Sequence, residues 1–183
     1  MRRWLLLGLV FSTGLIMGGL GGWSLGLAQS ERPREEGVSQ GQRPPRFTAH
    51  DLSGARHSLE QYTGRILVLH FWASWCPFCR SQIPDLRTLS EEWLDKGVAV
   101  LTVGLDHDVE RLRQFIDQEA LPYPVIADAE QGAAAFGQRY HVTGIPDTFV
   151  IGRDGRIVSR HVGRADLISA VQGALEGSSG SSI

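Results

Sequence analysis

Residues Leu67–Pro84 read LVLHFWASWCPFCRSQIP, and this stretch holds both cysteines of the chain, Cys76 and Cys79. Residues 65–72, RILVLHFW, form a near-continuous apolar run of strand length, the pattern of a strand covered on both faces. From Pro77 onward the apolar period becomes helical and continues to about Leu94. Pro77 suits a first helical turn, and Pro84 is expected to kink the helix it enters. Cys76 therefore falls where a buried strand hands over to a helix. His70 lies inside the strand, on the face that Ile66, Val68 and Trp72 share.

Three chemistries compete for Cys76-Pro77-Phe78-Cys79. A structural disulfide would close a very short loop and remove little entropy from the unfolded chain. A zinc or copper site needs further ligands, but there is no second CxxC, and His141 and His161 are too far apart for a finger. Met1 and Met17 are the only methionines and fall outside the soluble part, so no methionine-rich copper site is offered. A redox pair uses every feature of the spacing. Cys76 at a helix start faces unpaired N–H groups, which favour thiolate. Cys79, three residues on, lies at a distance a disulfide can bridge. Cys76 is expected to be the accessible nucleophile and Cys79 the sheltered resolving cysteine.

A second signal follows in VTGIPDTFVI. Given the upstream cysteines, Ile145-Pro146 is read as a cis bond ahead of a strand. It would present the Ile145 main chain beside the thiols, where an extended substrate segment can pair with it. The expected substrate-contacting residues are Trp75, Pro77, Phe78 and Ile145, although Trp72 and Trp75 also suit simple packing.

Around this centre, strand and helix signals alternate. RFTAHDLSGARHSLEQY suggests two short strands around Ser53-Gly54 and a helical turn. VAVLTVGL is a buried strand, DVERLRQFIDQEA a helix capped by Asp106 or Asp108, and YPVIAD a short strand. AEQGAAAFGQRYH reads as a short helix and DTFVIGRDGRIVSRHVG as a hairpin turning at Asp154-Gly155. ADLISAVQGALE closes the domain as an amphipathic helix. The implied class is α/β, a mixed central sheet with helices on both faces. His50, His57, His107, His141 and His161 fall on expected turns and strand ends and are read as solvated, and Asp147 as a surface acid.

The 183 residues, 42% hydrophobic and 21% charged, allow one ordinary core. A net charge of -2 without a basic run gives no reason to expect nucleic acid. Two cysteines cannot build a disulfide-rich scaffold. Arg2 and Arg3 precede the uncharged Trp4–Ala28, which as a helix would span about 37 Å, enough for a bilayer core. Residues 1–28 are read as a transmembrane anchor in preference to a cleaved signal peptide, whose cleavage site would be Gly26-Leu27-Ala28. Either segment sends the remainder out of the cytoplasm. Residues 29–43 read as a flexible tether, 44–176 as the domain and 177–183 as a disordered tail.

Phe71-Trp72-Ala73-Ser74-Trp75-Cys76-Pro77-Phe78-Cys79, then Pro84, then Gly144-Ile145-Pro146-Asp147-Thr148-Phe149, resemble the thioredoxin superfamily. More narrowly they are similar to its membrane-anchored TlpA/ResA/CcmG-like (DsbE-type) branch. The resemblance spans residues 44–176 and implies a thioredoxin-like fold with an extra N-terminal β-hairpin and an inserted helix-strand unit between Val109 and Ala127. It implies extracytoplasmic thiol-disulfide exchange, with a reductase role in cytochrome c maturation or a related thiol-reducing pathway. The implied partners are a disulfide-containing protein such as apocytochrome c, a transmembrane thiol-electron donor, and the membrane through the N-terminal helix. No metal and no cofactor beyond the Cys76–Cys79 pair is expected, nor any nucleic acid, and the soluble domain is expected to be monomeric.

Two positions depart from the branch. A glutamate common three residues after the second cysteine is replaced by Gln82, which cannot titrate. A buried acid or asparagine on the strand is replaced by His70. His70 is either a neutral core histidine or the acceptor of the Cys79 proton, and both readings stand. Two rivals remain. A peroxiredoxin-type peroxidase would want a threonine three residues before its cysteine, where Ala73 stands, and a copper-delivery module would use Cys76 and Cys79 as ligands.

Overall fold

The computed structural model describes residues 36–132 and 135–179. The apolar segment Trp4–Ala28 lies outside them, and so does the tether up to residue 35. Among the described residues no helix is long and apolar enough to cross a membrane.

The strands are β1 (Thr48–His50), β2 (Arg56–Ser58), β3 (Ile66–Trp72), β4 (Val98–Gly104), β5 (Val125–Ala127), β6 (Asp147–Ile151) and β7 (Ile157–Val162). The helices are α1 (Pro77–Arg80), α2 (Ile83–Glu91), α3 (Val109–Glu119), α4 (Phe136–Arg139) and α5 (Leu167–Ser179). Five strands form one sheet in the order β5-β4-β3-β6-β7, and β1 and β2 form a separate antiparallel pair. β3 runs parallel to β4 and antiparallel to β6, so the sheet is mixed.

β3 shows why a continuous apolar run is needed at the centre. Ile66, Val68 and Trp72 enter a core cluster with Leu86 and Leu89 of α2, Leu112 of α3 and Leu167, Val171 and Ala174 of α5. The alternate residues Leu67, Leu69 and Phe71 enter a second cluster with Phe136 of α4, Tyr140, and Phe47 and Ala49 of the N-terminal hairpin. Helices thus cover both faces, and the period of two in β3 assigns each side chain to one of them. The thioredoxin-like architecture, with its added hairpin and its α3-β5 insertion, is present.

Several local expectations are corrected. The helix after the cysteines is not one kinked rod but two, broken at Ser81-Gln82. Pro84 stands in the first turn of α2, where it has no N–H to continue the ladder from α1. The expected short helix after β5 is one 3-10 turn, Asp128–Glu130, and the single-turn α4. Asp108 alone caps α3, accepting from Arg111 N at 3.1 Å. Glu36–Arg43, read as tether, pack on the domain: Gly41 N donates to Ile157 O and Ile157 N to Gln42 O, each at 2.8 Å. α5 runs on through Ser179.

His57 is not solvated. Its Nε2 lies 2.9 Å from Asp51 Oδ2 and its Nδ1 2.7 Å from the Tyr62 hydroxyl. Asp51 also accepts from Ser53 N, Ser53 Oγ and Ala55 N, which closes the β1-β2 turn. Burial acts to raise the Asp51 carboxyl, but the Ser53 and His57 hydrogen bonds outweigh it and hold the group below the usual range. Burial pushes the Tyr62 phenol up to about 12.

Candidate active site

The end of β3 is fixed by Leu105 N donating to Trp72 O at 2.8 Å. The chain then turns through Ala73-Ser74-Trp75, and Cys76 becomes the N-cap of α1 with Pro77 behind it. Cys76 Sγ accepts the Cys79 amide at 3.2 Å, so the sulfur sits on the unpaired N–H groups of the helix start. Cys76 and Cys79 are joined in a disulfide with Cα atoms 5.3 Å apart, inside the usual bridging range. Both are buried, at 4% and 1% exposure, so the difference in access expected between them is small in the disulfide state. Their neighbours are not buried: Trp75 is 60% and Phe78 65% exposed.

The turn before Cys76 is held from outside. Asp106, buried and placed after β4, accepts from Ser74 N through Oδ2 at 3.0 Å and from Ser74 Oγ through Oδ1 at 2.5 Å. In sequence Asp106 was explained as a helix cap. It instead clamps the residue two positions ahead of the first cysteine.

Opposite lies the β6 entry. The Ile145-Pro146 peptide is cis. Ile145 packs against the cluster that contains both cysteines. Pro146 O accepts from Gly163 N at 2.7 Å, whereas neither the N–H nor the C=O of Ile145 has a hydrogen-bond partner among the described residues. Asp147 is a correction: it is fully buried, not a surface acid, and Arg160 holds it by a fork with a shortest contact of 2.6 Å. No periodicity pairs residues on two different strands, so this contact had no sequence signal.

His70 is fully buried, its Nδ1 2.8 Å from Thr148 Oγ1, and its Nε2 has no partner among the described residues. Desolvation pushes its pKa down to about 3, so the ring is neutral near pH 7. Its hydrogen bond is to a side chain on the neighbouring strand β6. Gln82, the N-cap position of α2, is also buried. Its Nε2 donates to Ala165 O at 3.0 Å, and its Oε1 has no partner among the described residues. The described residues contain no group of three or more His, Cys, Asp or Glu side chains placed to hold a metal ion.

A profile described as Redoxin matches residues 39–175. The chain belongs to the Redoxin family. Among curated relatives of this Redoxin chain, the thioredoxin-like protein YneN of Bacillus subtilis is 32% identical over 151 residues, covering 81% of this chain and 85% of YneN. The thiol-disulfide oxidoreductase ResA of Bacillus thuringiensis is 30% identical over 149 residues, covering 81% and 83%. Among solved structures, a putative thiol:disulfide interchange protein DsbE from Chlorobium tepidum superposes with a TM-score of 0.68 at 29% identity, covering 75% of this chain and 99% of that one. Within the Redoxin family the chain is of the TlpA/ResA/CcmG-like type, and its enzyme class is thiol-disulfide oxidoreductase.

Proposed function

We propose that this protein is an extracytoplasmic reductase whose working group is the Cys76–Cys79 dithiol. One observation carries the reading: a bridged cysteine pair at a helix start belongs to the core cluster against which Ile145 packs, and the main-chain N–H and C=O of Ile145 have no partner among the described residues. An extended disulfide-bearing segment can pair with those groups as an added strand. Exposed Trp75 and Phe78 then supply apolar contact beside the sulfurs, with Pro77 between them.

In the dithiol state, the Cys76 thiolate attacks one sulfur of the substrate disulfide. A Cys76–substrate disulfide forms, and the leaving substrate thiolate takes a proton. Cys79, as thiolate, then attacks Cys76 Sγ, which forms the Cys76–Cys79 disulfide and releases the second substrate thiol. Two electrons have passed to the substrate, and an external dithiol must return them. The Cys79 proton goes to the departing substrate thiolate, and His70 Nε2, in the tautomer that donates Nδ1–H to Thr148, is a buried acceptor that can take a hydrogen bond from a thiol without taking its proton. Because Nε2 is desolvated, it acts as a hydrogen-bond acceptor more readily than as a full base. The natural substrates on this reading are cysteine pairs that must stay reduced outside the cytoplasm, those of apocytochrome c among them. The donor is a transmembrane thiol carrier, and the apolar N-terminus serves as the anchor.

The test is insulin-disulfide reduction with dithiothreitol as the donor, run beside Cu(I) titration of the reduced chain. Turnover lost in Cys76→Ser, with a trapped mixed disulfide in Cys79→Ser, is expected. Tight copper binding without turnover would overturn the reading in favour of metal delivery. A reduction potential nearer to about -270 mV than to about -120 mV is expected for a reductase.

A further inference from the structure

One side chain spans both ends of the loop that presents Ile145. Arg160 Nε lies 3.1 Å from Asp147 Oδ1 and 3.2 Å from Oδ2, and Nη2 lies 2.6 Å from Oδ2. The same Nη2 donates to the His141 carbonyl at 2.9 Å. His141 precedes the loop and Asp147 follows it, so a single guanidinium closes the segment between them. The backbone at His141 has φ 49, a left-handed conformation uncommon for a residue other than glycine. Arg160 is itself braced: its guanidinium carbon lies 4.6 Å from the Phe149 ring centroid, and Phe149 is buried edge-on against Phe71 and Tyr140.

Stability alone does not account for this arrangement. A buried ion pair is often no better than a well-packed apolar pair of the same volume. A planar fork does offer directional control, because it holds a carboxylate and a carbonyl in one plane. Between its anchor points, Val142 N is tied to Gly137 O at 2.8 Å and Pro146 O to Gly163 N at 2.7 Å, while Ile145 has no main-chain partner among the described residues. The loop is therefore tied at Val142 and at Pro146, and the main chain of Thr143, Gly144 and Ile145 between them has no hydrogen-bond partner among the described residues.

We propose that Arg160 is a positioning residue for protein disulfides, holding the His141–Asp147 loop so that the Ile145 main chain meets an incoming extended segment in register. This rests on the exchange reading above and adds to it which residue sets recognition of a peptide as against a small disulfide. Arg160 contacts neither sulfur nor substrate, so its loss should leave the thiol chemistry intact.

The experiment compares the full chain with Arg160→Met, Arg160→Lys and the double variant Asp147→Asn/Arg160→Met. Each is assayed against insulin and against 2-hydroxyethyl disulfide, which has no peptide backbone to pair. Arg160→Met keeps the apolar stem on Phe149. It is expected to lose about 10- to 100-fold in kcat/KM toward insulin, mostly through KM, as misplacement of a binding element does. Its rate with 2-hydroxyethyl disulfide and its glutathione equilibrium should stay at the wild-type values. Arg160→Lys should recover little, since an ammonium cannot make the fork. The double variant leaves no buried unpaired charge and guards against simple unfolding; it should show the same selective loss. Equal losses on both disulfides, or full insulin activity in the double variant, would overturn the proposal. A wild-type chain inert toward both disulfides would instead sink the exchange reading, and the proposal with it.

Discussion

His70 and Thr148 face each other across β3 and β6, directly in register, and the imidazole Nδ1 meets the threonine hydroxyl at 2.8 Å. The pairing leaves the other ring nitrogen buried, without a partner among the described residues, on the sheet face shared with Trp72. A histidine held this way is a neutral dipole with one end committed. Its relation to pH is therefore carried by the unfolded chain as much as by the folded one.

The first prediction follows from that. In the fold His70 protonates only near 3, whereas its ordinary value is 6.5. Between those values the unfolded chain binds a proton that the folded chain refuses. Stability from this group is thus complete above 6.5 and is lost as pH falls toward 3, at up to about 1.4 kcal/mol per pH unit. Urea unfolding of the wild type and His70→Asn between neutral and mildly acidic pH should show the steeper acid loss in the wild type. Parallel curves would rule out a buried neutral His70.

Asp106 and Ser74 give a second. The buried carboxylate satisfies both the Ser74 amide and its hydroxyl, and so sets the turn that delivers Cys76 to the helix start. Ser74→Ala deletes one bond and should cost about 1 kcal/mol, while Asp106→Ala strands a buried N–H and should cost about 2–3 kcal/mol. Both should slow alkylation of Cys76 in the reduced protein, the aspartate variant more. Iodoacetamide kinetics that match the wild type would show that the clamp does not reach the nucleophile.

Gly104 gives a third. At the end of β4 a Cβ on this residue would lie 2.5 Å from Leu112 Cδ2, and Leu112 is the fully buried residue of α3. Gly104→Ala should destabilise the domain by about 1–3 kcal/mol through overpacking. Pairing it with Leu112→Val should return part of that loss. A thermal midpoint unchanged in Gly104→Ala would mean that α3 lifts without cost.

What could be read in advance divides along a physical line. β3, its flanking cysteines and the helix start are legible because one strand and one turn contain the whole signal: apolar period, then Cys at a helix cap. Pro84 announces a disturbance, but whether it bends a helix or splits it depends on tertiary packing, which no window of sequence contains. Asp106-Ser74 and Arg160-Asp147 join different elements, so their acids read as a cap and as a surface charge. His57 read as solvated because its partners, Asp51 and Tyr62, come together only once the hairpin has closed. Charged and polar side chains were misplaced wherever a distant partner, not a local pattern, decided their burial.

Gln82 supplies the last prediction. Its amide has a divided role: Nε2 donates to Ala165 O at 3.0 Å, tying the α1-α2 break to the loop before α5, and Oε1 is buried without a partner among the described residues. Gln82→Glu keeps the shape but turns the donor into an acceptor facing a carbonyl. Burial and that carbonyl both favour the protonated acid, so the folded pKa of the new glutamate should rise above its ordinary value of about 4.3. Because the folded state then holds its proton more tightly, stability is greatest below the ordinary value and falls as pH rises through the raised one. The exchange rate should acquire a second pH-dependent step in the same window, since a carboxylate beside Cys79 opposes formation of a second anion there. Unfolding midpoints and mixed-disulfide resolution rates, followed from pH 4 to 8 in the variant and the wild type, measure both effects. A variant whose stability and resolution profiles overlay the wild type would mean that position 82 does not sense the protons of the pair.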